Sequence, residues 1–185
     1  CPLLFDLIDE VKPDNAKAEL YLTDIIAIAT AKALAVTYRI TDEQEVAGVN
    51  TRHDLAHIEA ILQDRLRDSA MDQGVTIQAP ETVFLNADAT FGRDVIIEPH
   101  VVIGAGTVIG DGSIIKAFSH IEGAVLGSNC IVGPYARLRP GTNAENGVKI
   151  GNFVETKNAM IGAGSKANHL TYIGDTTIGN EANIG

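Results

Sequence analysis

The sequence has few cysteines, few aromatic residues and few basic residues. Its two cysteines, Cys1 and Cys130, cannot form a disulfide framework, so we expect a reducing compartment and assign the protein to the cytoplasm. Lys and Arg total 14 against 24 Asp and Glu, and this shortage of cations argues against a nucleic-acid partner. No apolar run reaches the roughly eighteen residues that span a bilayer, and no signal-peptide pattern is present, so no membrane partner is expected.

Glycine is scarce in the first half of the chain and frequent in the second. Only Gly48 and Gly74 precede residue 92, and the other 16 glycines follow it, so we expect a boundary near residues 74–84. Net charge also differs between the two sides of this boundary. Residues 1–84 carry 7 basic and 15 acidic groups (net −8), whereas residues 85–185 carry 7 and 9 (net −2). An anionic ligand is therefore expected in the second part.

The first part predicts alternating helix and strand. Thr23 and Asp24 supply cap chemistry for a short buried helix to about Leu34, and the β-branched and aromatic run over residues 36–40 predicts a strand. Thr51 can cap a longer helix whose apolar residues fall at helical spacing, namely Leu55, Ile58, Ile61, Leu62 and Leu66. Because two or three elements cannot form a complete mixed α/β sheet, we expect this part to be the tail of a larger α/β domain.

The second part is an internal repeat. Eighteen positions recur, 17 of them apolar, and 14 of the 17 steps between them are six residues while three are five. The positions are Leu85, Phe91, Ile97, Ile103, Ile109, Ile115, Ile121, Leu126, Val132, Leu138, Ala144, Ile150, Thr156, Ile161, Ala167, Ile173, Ile178 and Ile184. A period of six fits a chain wound round a three-sided prism, with eighteen residues in each coil. The pattern resembles the hexapeptide repeat of left-handed parallel β-helices, the fold we predict here.

The residues around each repeated position support this winding. We expect the repeated side chains to point inward and to stack from coil to coil, about 4.8 Å apart. Glycine follows the inward residue at ten positions, where we expect it to permit the corner. Small residues stand two places before it, where adjacent faces converge. Cys130 is one of these and is therefore interpreted as a packing residue.

Two basic residues are predicted to stack on one outer face. Arg139 and Lys157 each follow an inward position and are 18 residues apart with no five-residue step between them. Two cations at such a short distance repel each other unless an anion binds between them. The pair therefore predicts a phosphate site. The alternative is neutralisation by Glu155 or Glu145.

A histidine and two further polar residues fall near this pair. Glu155 and Tyr172 occupy equivalent positions one coil apart and should be neighbours. His169 cannot point into a core of Ile and Val, so it should project outward, within about two coils of the two cations. There its imidazole could accept a proton from an amine nucleophile, although most lone surface histidines are inert.

Metal chemistry from histidines is a weaker hypothesis. His53 and His57 are spaced like a helical zinc pair, but a third ligand and a Glu base are missing, so we interpret them as a solvated helix face. A zinc hydrolyase of the γ-carbonic-anhydrase kind would need three histidines at a subunit interface. His100, His120 and His169 do not share a register, which argues against it.

Five runs of sequence closely resemble the bacterial bifunctional N-acetylglucosamine-1-phosphate uridyltransferase / glucosamine-1-phosphate acetyltransferase family. They are YARLRPG (135–141), GNFVETK (151–157), SKANHLTYIGD (165–175), ELYLTDII (19–26) and VAGVN (46–50). The resemblance implies residues 1–50 as the C-terminal remnant of the uridyltransferase domain, residues 51–74 as a linker helix and residues 75–185 as a truncated β-helix acetyltransferase domain.

The resemblance also implies roles for individual residues. His169 would be the general base that deprotonates the glucosamine amine for attack on acetyl-CoA. Arg139 and Lys157 would clamp the sugar phosphate, with Tyr172, Asn183 and Glu155 as further contacts. In the uridyltransferase site Asn50 would bind Mg²⁺ and substrate, and Glu19, Tyr21 and Thr23 would border the sugar pocket. The substrates and product would be glucosamine-1-phosphate, UTP and UDP-N-acetylglucosamine, and the assembly a homotrimer.

The chain is expected to include only part of the sequence typical of the family. It starts at Cys1 and stops at Gly185 in mid-repeat, so we expect a piece of a longer polypeptide. The family's glycine-rich nucleotide loop and metal-binding Asp would precede Cys1, and the coils that bind acetyl-CoA would follow Gly185. We therefore expect this segment alone to be inactive. The alternative is a single-activity nucleotidyltransferase whose β-helix only oligomerises.

Overall fold

The computed structural model of the chain describes residues 2–184, which divide into two compact units, residues 2–47 and residues 48–184. In the first unit, helix α1 spans Pro2–Ile8, helix α2 spans Asp24–Ala31 and a 3-10 turn spans Glu43–Glu45. The buried apolar residues of this unit are Leu7 and Ala29. The unit thus contains short helices with very little core of its own.

The strand predicted over residues 36–40 is wrong. These residues form no strand, and Tyr38 and Ile40 are 87% and 85% exposed. A β-branched run forms a strand only where another strand pairs with it, and the described part of this unit contains none.

Helix α2 is present but shorter than predicted. It ends at Ala31 because Ala33 takes a left-handed conformation with φ 56°, and the Leu34 N–H then donates to the Ala29 carbonyl at 3.0 Å. Thr23 stands at the N-cap position as predicted, but its side chain makes no capping hydrogen bond. The residue types at its ends predicted the position of this helix correctly but predicted its capping contact and its last residue wrongly.

Helix α3 spans Arg52–Asp72 and opens the second unit. Thr51 caps it as predicted, since its Oγ1 accepts from the Asp54 N–H at 3.1 Å while the Asp54 carboxylate accepts from the Thr51 N–H at 2.8 Å. The hydrogen bonds that the Asp54 carboxylate accepts from the Asn50 N–H and from the Thr51 N–H lower the pKa of Asp54. Among the described helices, none is long and apolar enough to cross a membrane.

The apolar face predicted for α3 is only partly covered, since Ile58, Ile61 and Leu66 are half-buried. The buried residues of the helix are Gln63, Arg67 and Ala70. Leu55 and Leu62 are exposed, whereas Gln63 and Arg67 are 6% and 7% exposed. Gln63 Nε2 donates to the Leu85 carbonyl and Gln63 Oε1 accepts from the Leu85 N–H, both at 2.8 Å. Arg67 donates to the Val83 carbonyl at 2.9 Å. The helix therefore uses polar side chains to satisfy the backbone at the edge of the first coil.

The rest of the second unit is a parallel β-solenoid with three faces. The first face contains β1 (Thr76–Ile77), β4 (Ile96–Ile97), β7 (Ile114–Ile115), β10 (Ile131–Val132), β13 (Lys149–Asn152), β15 (Lys166–His169) and β17 (Asn183–Ile184). The second face contains β2 (Phe84–Leu85), β5 (Val102–Ile103), β8 (His120–Ile121) and β11 (Arg137–Leu138). The third contains β3 (Thr90–Phe91), β6 (Val108–Ile109), β9 (Val125–Leu126) and β12 (Asn143–Ala144).

Two longer strands turn the corner between the second and third faces. They are β14 (Glu155–Ile161) and β16 (Tyr172–Ile178), and they join both faces into one ten-stranded sheet. Each contains one of the five-residue steps, so in two of the three such steps strand pairing continues through the corner, whereas the step from Ile121 to Leu126 separates β8 from β9. A 3-10 turn at Pro80–Thr82 lies between β1 and β2.

The predicted inward positions form the core. Fifteen of the eighteen are buried, and Phe91, Ile178 and Ile184 at the third face and the last coil are partly buried. Successive coils pair in register, for example Ile97 with Ile115 and Ile115 with Val132. Burying each Ile contributes about 1.5 to 3 kcal/mol, so the column of inward side chains is the main source of stability.

At Gly110 and Gly151, the glycine after the inward residue is needed for a different reason from the one predicted, whereas Gly133 has a φ of 94°, a conformation that favours glycine. A Cβ at Gly110 would lie 2.6 Å from the carbonyl carbon of Gly127, and a Cβ at Gly151 would lie 1.8 Å from the carbonyl oxygen of Asn168. Neither glycine has a positive φ. Close approach of the next coil, rather than corner geometry, excludes a side chain there.

Candidate functional site

The outer surface of the second face carries the predicted charged residues. Strand register aligns Arg137, Glu155 and Tyr172 across three coils, and Leu138, Thr156 and Ile173 beside them point inward. The Arg139 N–H donates to the Thr156 carbonyl at 2.9 Å, which places Arg139 next to Lys157 on the adjacent coil. The spacing of 18 residues therefore predicted the neighbourhood of these two cations correctly.

The two cations have different surroundings. Arg139 Nη1 lies 2.9 Å from Glu155 Oε1, in an ion pair whose side chains are 37% and 39% exposed. Lys157 is half-buried and makes no ion pair or side-chain hydrogen bond with any residue from 2 to 184. Glu145 instead accepts from the Ala163 N–H at 3.0 Å. Neutralisation therefore holds for Arg139 through Glu155, whereas Lys157 keeps an uncompensated charge.

Tyr172 lies beside Glu155 and its ring crosses the neighbouring glycine. A Cβ at Gly174 would come within 2.4 Å of Tyr172 Oη and 2.6 Å of Cζ. Since Gly174 pairs with Lys157, the hydroxyl is directed along the strand toward the position of Lys157. The missing side chain at residue 174 therefore makes the space in which the tyrosine lies.

His169 is the last residue of β15 and pairs with Asn152. It is exposed, as predicted, and within the described chain its imidazole forms no hydrogen bond. It lies at the corner that leads into the second face, and Tyr172 follows three residues later. Along the coil, Tyr172 thus stands between His169 and the position of Lys157. The structure brings Arg139, Glu155, Lys157 and Tyr172 onto one face and His169 to the edge of that face.

Asn183 lies elsewhere in the solenoid. It begins β17 on the first face, where it pairs with Lys166, and its Oδ1 accepts from Asn168 Nδ2 at 2.8 Å. Within a single chain the structure does not join Asn183 to the charged residues of the second face.

The residues assigned to a nucleotidyltransferase site lie in separate units. In the first unit the Tyr21 hydroxyl donates to Glu19 at 2.9 Å, a hydrogen bond that raises the pKa of Tyr21. Asn50, in the second unit, donates its backbone N–H to Asp54 at 3.0 Å. Mg²⁺ needs about six oxygen ligands, and residues 2–184 hold no cluster of three His, Cys, Asp or Glu that could bind a metal. One amide at Asn50 does not fit a magnesium site by itself.

The remaining histidines and the cysteine behave as structural residues. His53 and His57 are exposed on α3, as predicted. His100 stacks on Phe118 with ring centroids 4.8 Å apart, and His120 Nδ1 lies 3.3 Å from Arg137 Nη1. Cys130 is fully buried, and burial raises the pKa of its thiol, which disfavours a nucleophilic thiolate.

Two features were missed by the sequence analysis. One is Arg137, which precedes Leu138 and is therefore exposed on the same face as Arg139, a relation visible in the alternation Arg-Leu-Arg. The other is an exposed aromatic stack along the corner between the first and second faces, formed by His100, Phe118, Tyr135 and Phe153. All four have a positive φ, and their spacings of 17 and 18 residues repeat the coil.

Comparison with known proteins identifies the class first. Residues 88–123 and 106–140 match the family model described as bacterial transferase hexapeptide (six repeats). The curated relatives then specify the family within this class. The bifunctional protein GlmU of Azorhizobium caulinodans is 56% identical over 92% of this chain and 38% of its own length, and GlmU of Sphingopyxis alaskensis is 54% identical over 98% of this chain and 40% of its own length. The chain therefore belongs to the GlmU family and spans about two fifths of the length of these relatives.

Solved structures give a weaker match. The acetyltransferase domain of PglB from Neisseria gonorrhoeae FA1090, in complex with acetyl coenzyme A, is 18% identical, with 68% of this chain and 60% of that chain covered and a TM-score of 0.35. A superposition this distant supports no conclusion about ligands.

Proposed function

We propose that the chain is a segment of a bifunctional enzyme of UDP-N-acetylglucosamine synthesis, which supplies bacterial cell-wall precursors. The solenoid would transfer acetyl from acetyl-CoA to glucosamine-1-phosphate. A second domain would transfer uridyl from UTP to N-acetylglucosamine-1-phosphate, with Mg²⁺. Family membership at 54–56% identity over nearly the whole chain supports both assignments.

The proposed domain organisation follows the same relatives. Residues 1–50 would be the end of the α/β uridyltransferase domain, residues 51–74 a linker helix and residues 75–185 a left-handed β-helix. The exposed apolar residues of the first unit support this, because a remnant cut from a larger α/β domain would leave such residues without their partners. We further propose a cytoplasmic homotrimer.

The single observation that supports acetyl transfer most directly is the charged surface of the second face. Arg139 and Lys157 stand on adjacent coils, where guanidinium and ammonium groups can bind one phosphate together. Glu155 and Tyr172 lie between them and the corner with His169. Glucosamine-1-phosphate carries its phosphate and its amine on neighbouring ring carbons, so one molecule could present both groups to this surface. Asn183 would contribute from the first face.

His169 would act as the general base. The neutral amine nitrogen forms a bond to the thioester carbonyl carbon while the imidazole accepts a proton from that nitrogen. The C–S bond then breaks, the proton passes to the departing thiolate, and the products are the N-acetylated sugar phosphate and CoA. An exposed histidine can reach a ligand on the outer surface, and histidine is the side chain most often used as a general base. The acetyl-CoA-binding coils would follow Gly185, so we propose that this segment alone is inactive.

Substitution of His169 tests the assignment in the full-length protein that contains this segment. H169A should lower acetyl transfer by about 10²- to 10⁴-fold, the usual contribution of a general base, and leave uridyl transfer intact. H57A removes an exposed histidine of α3 and is the matched control. Unchanged acetyl transfer in H169A would mean that another group is the base, and equal loss of both activities would indicate a structural role for His169. Absence of acetyl transfer in the wild-type protein would favour the single-activity nucleotidyltransferase.

A further inference from the structure

We propose that the Arg139–Glu155 ion pair selects the amino sugar phosphate over its N-acetylated product by exchanging partners with a doubly charged ligand. The proposal rests on the proposed function, since it assumes that the sugar phosphate binds on the second face. In the free protein the guanidinium and the carboxylate neutralise each other at 2.9 Å. On binding, Arg139 would turn to the ligand phosphate and Glu155 to the ligand ammonium.

The geometry makes Glu155 available for such an exchange. Strand register places Arg137 directly opposite Glu155, yet Arg137 Nη1 lies near His120, and the carboxylate pairs with Arg139 instead. The pair is more than one-third exposed at both ends, so either partner can rotate into solvent at small cost. Lys157, with no partner of its own in residues 2–184, can hold the phosphate while Arg139 turns.

The charges then distinguish substrate from product. Glucosamine-1-phosphate carries an anion and a cation, so both members of the broken ion pair gain a new partner. N-acetylation converts the ammonium into a neutral amide. The product phosphate still competes for Arg139, but Glu155 is left as a carboxylate without a cation beside a phosphate. Re-formation of the Arg139–Glu155 pair therefore favours release of the product.

Binding measurements on the chain with Glu155→Gln test this inference. Wild-type protein should bind glucosamine-1-phosphate about two- to fivefold more tightly than N-acetylglucosamine-1-phosphate in calorimetry, a ratio of the size of an exposed ion pair. In E155Q the affinity for N-acetylglucosamine-1-phosphate and for inorganic phosphate should rise about two- to fivefold, and the preference for the amino sugar should disappear. The gain for inorganic phosphate is a readout that loss of structure would not produce.

Glu122→Gln is the matched control. Glu122 follows the inward Ile121 on the coil before Arg139, on the same face, and its carboxylate contacts neither Arg139 nor Lys157. E122Q removes the same charge and should leave the ratio of the two sugar phosphates unchanged. An equal effect in E122Q and E155Q would mean that only net charge matters and would overturn the proposal.

The remaining outcomes separate this inference from the proposed function. If wild-type protein prefers the amino sugar and E155Q keeps that preference, the ion-pair exchange is wrong while the binding site stands. If neither wild-type nor E155Q binds any of the three probes, and R139A is indistinguishable from them, the second face is not a phosphate site and both proposals fail. E155A serves as a second variant if E155Q does not fold.

Discussion

The two units of the chain differ in how far their apolar side chains are buried. In residues 48–184 the repeated inward side chains are stacked in a continuous buried column, from Leu85 to Ile173. In residues 2–47 the large apolar side chains that are exposed include Phe5 at 64%, Leu20 at 67% and Tyr38 at 87%. A repeat buries its core against its own neighbouring coils, whereas the short helices described in residues 2–47 have no sheet in that unit to cover their apolar side chains.

The largest expected effect is a difference in local stability between the units. Amide hydrogen exchange on the intact chain should show backbone amides of residues 96–161 protected on the order of a thousandfold more than those of residues 2–47, because the first unit has almost no core to break. Equal protection in both units would show that residues 2–47 are stabilised by contacts other than a buried core.

A second prediction compares two glycines that both follow an inward residue. Gly151→Ala should lower the free energy of unfolding by about 1–3 kcal/mol, because the new Cβ meets the backbone of Asn168. Gly174→Ala meets only the movable ring of Tyr172, so it should cost less than about 0.5 kcal/mol. Chemical denaturation measures both.

The same two substitutions also separate an effect on the stability of the solenoid from an effect on ligand binding. Gly174→Ala should displace Tyr172 and weaken binding of glucosamine-1-phosphate while the protein stays folded. If Gly174→Ala destabilises the solenoid as much as Gly151→Ala does, the backbone and not the tyrosine occupies the space at residue 174.

A third prediction concerns the edge of the solenoid. Gln63→Leu should destabilise the second unit by about 1–3 kcal/mol, since it removes both hydrogen bonds to the Leu85 backbone and leaves a buried N–H and C=O without partners. Gln73→Leu, at the exposed end of the same helix, is the control and should have little effect on the unfolding midpoint. Equal midpoints for the two variants would mean that water replaces the Gln63 amide without loss.

The smallest expected effect is local and depends on pH. The pKa of Asp54 is lowered in the folded protein, so the stabilisation it contributes is present above its unfolded value of about 3.9 and is lost as pH falls through the folded value. As the pH falls below about 4, the Thr51 amide resonance should therefore shift as the start of α3 frays. Asp54→Asn should remove this transition, whereas Asp68→Asn, on an exposed position of the same helix, should retain it.

Sequence reasoning succeeded where neighbours in space are fixed by a repeat. The periodicity identified the inward residues and predicted that Arg139 lies beside Lys157 and Glu155 beside Tyr172. It failed at residues 36–40, because propensity says nothing about whether a partner strand exists. It failed in part at α3, where Gln63 and Arg67 are more buried than the predicted leucines, because their side chains hydrogen-bond to the backbone at the edge of the first coil.

The amino-acid sequence alone therefore determined the solenoid, its register and the face that holds the charged residues, because each of these follows from counting residues around a coil of constant length. Only the tertiary structure decided that Glu155 pairs with Arg139 rather than with Arg137 opposite it, that Tyr172 crosses Gly174, and that α3 covers the edge of the first coil with amide groups. These depend on side-chain rotation and on hydrogen-bond geometry across coils, and a linear pattern of residue types records neither.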